Sequence, residues 1–121
     1  MAEVPNRLIR ESVCTSRTIA KLTWFEEAFY YRLWVNCDDY GRMDAEPRIL
    51  RARLFPLVDD MTCQQVEGAL HRLVEVGSVR LYEAEGAQYL EIVNWGKYQQ
   101  IRAKRSKYPV PPDSRGTCVP P

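Results

Sequence analysis

Apolar and polar residues follow two different periods along the chain. Between residues 62 and 76 the apolar positions recur every three or four residues, which predicts an amphipathic helix. Between residues 79 and 93 they alternate with polar positions on either side of an Ala-Glu-Gly-Ala turn, which predicts a β-hairpin. The stretch 24–37 is apolar nearly all round, more than one core-facing side requires. It is therefore either the central helix of a small domain or a helix whose extra face another copy of the protein covers.

Threonine residues mark the starts of both long helices. Thr23 with Glu26, and Thr62 with Gln65, fit the capping box, in which two side chains bond free backbone N–H groups of the first turn. Gly77 then ends the second of these helices, since glycine readily adopts the conformation that follows a helix. Both boundaries are thus predicted from local chemistry alone.

Shorter elements lie around these two helices. Thr15 or Ser16 is placed to cap a short helix, and Pro47 suits the first turn of another helix, which a second proline ends. Between them, Asp38–Gly41 favours a turn, and residues 42–44 leave room for only a very short strand. The predicted order is helix, short strand, helix, helix, strand, turn and strand.

This order predicts an α+β fold of the winged helix–turn–helix type, with a three-helix core and a β-hairpin as its wing. We expect residues 1–96 to form that domain. Residues 97–121 then form a basic segment followed by a Pro-rich linker or tail. In this arrangement the turn at the two aspartates serves only to aim the second helix across the third.

The formal net charge of +1 conceals an uneven distribution. Residues 1–93 carry 11 basic and 15 acidic side chains, whereas residues 94–108 carry five basic and no acidic ones. Blocks of this kind contact nucleic acid more often than small ligands. The alternative is a solvated basic tail.

The basic segment, with its flanking aromatic residues at 95–108, is the strongest electrostatic candidate for a nucleic-acid contact. Its cations are interleaved with Trp95, Tyr98 and Tyr108, which suits phosphate neutralisation combined with base stacking on single strands. Alternatively, these aromatic side chains fold back on the body, and we expect Trp95 itself to be packed. The predicted DNA-binding residues here are Lys97, Arg102, Lys104, Arg105 and Lys107.

Two helices supply further candidates. In a helix–turn–helix the third helix enters the major groove, where Gln pairs with adenine and Arg with guanine, while arginines of the preceding helix hold phosphates. The alternative is a solvated helix face, which Glu67 and Glu75 favour, and pairing of the arginines with nearby acids. Glu83 and Glu85 at the wing tip repel phosphate, so we expect no grip there. The candidates are Arg48, Arg51, Arg53, Gln64, Gln65, His71 and Arg72.

Catalytic chemistry has little support in the sequence. The single histidine has no serine or cysteine partner at a recognisable spacing, and the paired aspartates resemble no EF-hand loop. The four cysteines form no C-x-x-C pair, and no Gly-rich phosphate loop is present. We expect a protein that is not an enzyme and needs no metal or cofactor. Without a recognisable signal peptide or spanning segment, we also expect a soluble cytoplasmic protein that does not contact membranes.

Five stretches over residues 7–112 resemble, in order and spacing, the N-terminal domain of phage replisome-organiser proteins, which are replication initiation proteins related to DnaD-type primosome proteins. The family has an Asp-Asp-x-Gly-Arg turn after Leu-Trp, an Arg- or Lys-rich helix ending in Phe-Pro, and an Asn-aromatic basic stretch leading into proline. Family members often have an aromatic residue where Val13 or Cys14 stands, and histidines near Gly96 and Tyr98. The stretches are CTSRTIAKLT, LWVNCDDYGRM, PRILRARLFP, VEVGSVRLYE and YLEIVNWGKYQQI.

The resemblance implies a winged-helix DNA-binding domain that helps to start phage DNA replication, with DNA and host replication proteins as partners. Two alternatives remain open. The first is a protein-interaction module that assembles with itself through helix 24–37 and contacts no DNA. The second is a phage transcriptional regulator of the same fold, which needs a more basic recognition helix than this one.

Overall fold

A computed structural model describes residues 6–112 and shows an α+β architecture with a small three-stranded antiparallel sheet. A 3₁₀ helix over Glu11–Thr15 precedes the first α-helix. The elements that follow are α1 (Arg17–Ala20), α2 (Trp24–Asn36), β1 (Arg42–Asp44), α3 (Pro47–Leu54), α4 (Cys63–Glu75), β2 (Val79–Ala84), β3 (Ala87–Ile92) and α5 (Trp95–Tyr98).

The predicted helix starts are confirmed. Both capping boxes are present, with the Thr23 and Thr62 hydroxyls accepting from backbone N–H groups three residues later and the Glu26 and Gln65 side chains bonding back. Of the two possible caps for α1, Ser16 is the one that accepts from the Ile19 N–H. Each cap stabilises its helix by about 1 kcal/mol, because it satisfies donors that the helix itself leaves unpaired.

The sheet has the strand order β1-β3-β2, so the short strand β1 pairs with β3, the second strand of the hairpin. Arg42 lies opposite Glu91, which in turn lies opposite Arg80, and the carboxylate of Glu91 forms ion pairs with both arginines at 2.9 Å. Glu85 and Gly86 connect the hairpin with positive φ angles of 54° and 80°. Two such residues give the type I′ turn whose twist matches paired strands.

The core lies where α2, α3 and α4 meet one face of the sheet. The helices contribute to the core the apolar residues that recur every three or four positions, and the strands contribute alternate residues. Replacing one of the large members by alanine costs about 2–5 kcal/mol of the free energy of unfolding. The fully buried members are Phe29, Leu33, Met43, Leu50, Val66, Leu73, Val79 and Leu90.

The nearly all-apolar α2 is the central helix, but one strip of it stays uncovered. Phe29, Leu33 and Trp34 are buried, whereas Trp24 is 88% and Val35 46% exposed. The buried residues support a role as the central helix of the domain. The exposed strip is consistent with the alternative, in which another copy of the protein covers the extra face. In the part of the chain that the structure describes, every helix is too short or too polar to cross a bilayer.

One short helix was not predicted. The predicted order ends with the second strand of the hairpin, yet Trp95–Tyr98 forms α5, and the boundary proposed at residue 96 falls within it. Beyond α5 the chain lies against the body, with Gln99 and Pro111 buried. The part of the predicted tail that follows residue 112 lies outside the described residues.

Candidate nucleic-acid interface

The arginines of α3 differ in what their guanidinium groups contact. Arg51 donates to the carbonyls of Met61 and Asp59 and so holds the loop between α3 and α4. Arg53 donates to the Asn36 carbonyl at the end of α2. The side chain of Arg48 is 81% exposed and, within residues 6–112, pairs only with the neighbouring Glu46 on the surface. Two of the three predicted phosphate ligands therefore support the fold, and one is displayed to solvent.

Three of the four candidates on α4 are exposed and Arg72 is half-buried, and two of the four are engaged. The Gln65 amide oxygen accepts from the Thr62 N–H, and bidentate pairing with adenine would require that cap to open. Arg72 donates to Glu75 at 2.8 Å and to the Lys21 carbonyl. Gln64 and His71 are exposed on the same helix. This helix therefore presents an acidic-to-neutral surface in which the predicted arginine is already paired.

The wing carries little positive charge at its tip. Glu83 and Glu85 are exposed there, as expected from the sequence. Arg80, farther along β2, pairs with Glu91. The charges on the hairpin are thus acidic or compensated within the sheet.

In the basic segment, by contrast, the cationic side chains are exposed. Arg102 donates to the Gln100 side chain. Within residues 6–112, the side chains of the other four form no hydrogen bond or ion pair. These four are Lys97, Lys104, Arg105 and Lys107.

The backbone of this segment is held by two adjacent acids of the turn after α2. The carboxylate of Asp39 accepts from the backbone N–H of Arg102 and, at 2.7 Å, from that of Ala103. From the other side of the same turn, the Tyr40 hydroxyl donates to the Ala103 carbonyl at 2.8 Å. Both backbone polar groups of Ala103 are therefore fixed by residues some 60 positions earlier in the chain.

Asp38 forms the second anchor and is itself buried. One of its carboxylate oxygens accepts from the N–H groups of Tyr40 and Arg42 at 2.9 Å, which closes the turn. The other accepts from the Ser106 hydroxyl and, at 2.9 Å, from the Lys107 N–H. A single carboxylate thus joins the turn after α2 to the basic segment.

Hydrogen bonds and a nearby cation favour the charged form of the Asp39 carboxylate. Partial burial alone raises the pKa of Asp39, but bonds from Ala103, Arg102 and Arg7 outweigh it, so that the net pKa lies below its usual 3.8. Arg7 supplies the compensating charge at 3.0 Å, with its side chain only 5% exposed. It also donates to the Trp34, Cys37 and Asp38 carbonyls at the end of α2, where a cation is favoured.

Gly41 allows the turn and the segment to approach each other. Its φ is +78°, and a Cβ there would lie 2.8 Å from Cγ of Trp95. Trp95 is buried, as expected, and donates its indole N–H to the Asp39 carbonyl at 2.9 Å. Only glycine therefore permits both the left-handed backbone and the packed indole ring.

Aromatic contacts hold the far end of the segment on the sheet. Tyr89 packs against Tyr82 and Tyr108, with ring centroids about 6 Å apart in each pair. The Tyr82 hydroxyl donates to the Pro109 carbonyl at 2.7 Å, and burial raises the pKa of that hydroxyl. Of the aromatics predicted to stack on bases, Tyr108 is thus partly occupied by the protein itself.

Sequence reasoning missed the residues that organise this surface. The two aspartates were assigned to the turn alone, and Arg7, Gln99 and Ser106 were not singled out. Gln99 bonds both backbone groups of Leu8, at 2.9 and 2.8 Å, across 91 positions of sequence. One signal in the sequence could have indicated the anchor. Two adjacent acids precede a tyrosine and a glycine at residues 38–41, while the basic side chains are concentrated in residues 97–107. Gln99 and Ser106 carry no such signal.

We compared the chain with protein-family models, with curated proteins and with solved structures, and none of the three comparisons gives a significant match.

Proposed function

We propose that this protein is the DNA-binding, winged-helix module of a phage replication initiator, and that the basic segment is its main contact with DNA phosphates. The winged-helix assignment is supported by the element order and by the hairpin paired to a short strand. The replication role is supported by the resemblance of the five sequence stretches. In this proposal α4 contributes less than a recognition helix ordinarily does.

One observation carries the proposal. Asp38 and Asp39 bind the backbone of the segment and leave its cationic side chains exposed. A segment fixed in this way loses little conformational entropy when it binds a polyanion. Five positive charges within residues 97–107 exceed the two negative charges of Asp38 and Asp39, and Arg7 already compensates that of Asp39. Such a local excess of positive charge attracts phosphates and releases their counterions.

Fluorescence anisotropy with labelled random duplex and single-stranded DNA tests this. The informative variant is Lys104→Gln/Arg105→Gln, and the matched control is Arg17→Gln/Lys21→Gln, which removes one lysine and one arginine from exposed positions elsewhere. We expect the first variant to bind about tenfold more weakly at low salt and the control to match the wild type. Equal loss in both variants, or no binding by the wild type at about 50 mM salt, contradicts the proposal.

A second candidate function has its own observation. Trp24, Ala28 and Val35 form an exposed strip on α2, and Tyr31 lies partly exposed within it. If two copies of α2 pack antiparallel about a centre between residues 29 and 30, Trp24 lies opposite Val35 of the partner subunit. The same geometry places Glu27 opposite Arg32 of the partner subunit. Self-assembly through α2 is therefore chemically consistent, with or without DNA.

Light scattering on the whole protein distinguishes this candidate. We expect Trp24→Glu to shift an α2-mediated dimer to monomer, because a carboxylate then replaces the large apolar side chain that faces Val35 of the partner subunit. Leu57→Glu is the control, since Leu57 is 91% exposed and lies on the loop that follows α3. A wild-type protein that remains monomeric at high concentration excludes this candidate and leaves the DNA-binding proposal intact.

A further inference from the structure

A cavity of about 440 Å³ lies beside the start of the basic segment. The N-terminal stretch 8–19 forms one wall, α2 forms the floor, and the chain from the end of β3 to Gln99 forms the other wall. Its aromatic lining consists of Tyr30, Trp34, Trp95 and Tyr98. Sites for small organic groups have this size and this aromatic character.

The charge of the lining restricts what the cavity can hold. Among the described residues that line it, none is acidic, and Arg10 alone carries a charge. Hydroxyl groups supply most of the other polar contacts, including those of Ser12, Thr15 and Ser78. Such a lining repels no anion and offers many hydrogen-bond donors. It suits a planar group rich in acceptors that is linked to a negative charge.

The floor combines an indole ring with two hydroxyl groups. Trp34 lines it with its ring, and the indole N–H itself is buried. Burial raises the pKa of the neighbouring Tyr30, and interactions with the Trp34 and Ser78 side chains offset part of that rise, so the three groups lie close together. The Tyr30 and Ser78 hydroxyls therefore give the floor hydrogen-bonding groups for a ligand in the cavity.

The cavity is continuous with the proposed DNA contact. Tyr98 and Gln99 line it and lead directly into residues 100–107. At its mouth the exposed Arg10 donates to the Tyr98 carbonyl at 3.3 Å, which leaves a guanidinium beside the first residues of the basic segment. A DNA strand that follows the cations therefore passes the opening.

We propose that this cavity receives an unstacked base of single-stranded DNA, with Arg10 contacting the adjoining phosphate. The inference rests on the proposed DNA-binding function and specifies its substrate as a single strand. The aromatic walls stack on the base, and the polar groups of the floor bond its ring acceptors. Duplex DNA, whose bases are paired and stacked, cannot enter without paying for unstacking.

The test compares two single strands of equal length and charge, an oligothymidylate and an abasic deoxyribose-phosphate strand, by anisotropy at about 50 and 200 mM salt. We expect the wild type to bind the oligothymidylate about tenfold more tightly than the abasic strand. Trp34→Phe, which keeps an aromatic ring but reduces the stacking surface, lowers that ratio. Thr15→Trp, which narrows the mouth from an exposed position, brings it near one.

Leu57→Trp is the control, because it adds the same side chain at a 91% exposed site outside the cavity lining and leaves the ratio unchanged. Equal, salt-dependent binding of both strands by the wild type overturns the base-binding inference and preserves the proposed function. If neither strand binds at the lower salt concentration, both proposals fail. Should Trp34→Phe unfold the protein, Thr15→Trp with its control still decides the question.

Discussion

The basic segment and α4 were both predicted to contact DNA, and the fold treats them in opposite ways. In α4 the backbone satisfies its own hydrogen bonds, and the Gln65 and Arg72 side chains are used for a cap and for ion pairs. In the basic segment the backbone N–H groups donate to the carboxylates of Asp38 and Asp39, and the cationic side chains are exposed. When carboxylates from a distant part of the chain bind the backbone of an irregular segment, its charged side chains can stay exposed to solvent. In a regular helix, side chains three or four residues apart are close enough to pair with each other.

The largest expected effect comes from removing the displayed charge. We expect the variant with Lys97, Lys104, Arg105 and Lys107 all replaced by Gln to lose most of its salt dependence. Each phosphate contact contributes nearly one unit to the slope of log affinity against log salt. Between about 50 and 200 mM salt the wild type should therefore weaken about 100-fold more than the variant. Anisotropy titrations at both concentrations measure this, and parallel slopes would remove the segment from the interface.

The next prediction releases the anchor while making the protein more positive. Asp38→Asn weakens the bonds to Ser106 and Lys107, so we expect the free energy of unfolding to fall by about 2 kcal/mol. DNA affinity should fall as well, although the variant gains positive charge, because the segment is no longer preorganised. Asp60→Asn is the control, with the same charge change at an exposed position. Urea unfolding and anisotropy provide the two measurements, and tighter binding by Asp38→Asn would show that charge alone matters.

Acid should loosen the other anchor, Asp39. The folded-state pKa of Asp39 lies below its usual 3.8, so this carboxylate stabilises the fold above that value and the stabilisation is lost as pH falls further. We expect the free energy of unfolding to decrease below about pH 4, and to decrease less steeply in Asp39→Asn. Denaturant unfolding over a pH series measures it. Identical acid profiles for variant and wild type would mean that the carboxylate is not held as described.

The smallest effect should come from α4. The double variant Gln64→Ala/His71→Ala removes two exposed side chains that the fold does not use. We expect DNA affinity to change by less than about twofold, since neither side chain belongs to the cationic cluster of residues 97–107. Anisotropy at low salt again measures it. A loss of tenfold or more would restore α4 as a recognition helix and reverse the comparison.

The sequence predicted local features well because their causes lie within a few residues. The capping boxes, the proline start of α3 and the two-residue hairpin turn each depend on neighbours in the chain. The α5 helix was missed because a single turn has no periodicity to detect. The path of the basic segment was missed for a different reason. Its hydrogen bonds reach residues 63 to 69 positions away, and no local pattern records such pairs.

The sequence by itself determined the α+β class, the order of the elements and the concentration of charge in residues 97–107. Only the tertiary structure decided which of those charges are displayed. Arg51, Arg53 and Arg72 are as basic as Lys104 and Arg105, yet they are bound to carbonyls or carboxylates that folding brings to them. Whether a cation faces solvent or supports the fold depends on which acceptors come within about 3 Å of it, and that is fixed by packing between distant parts of the chain.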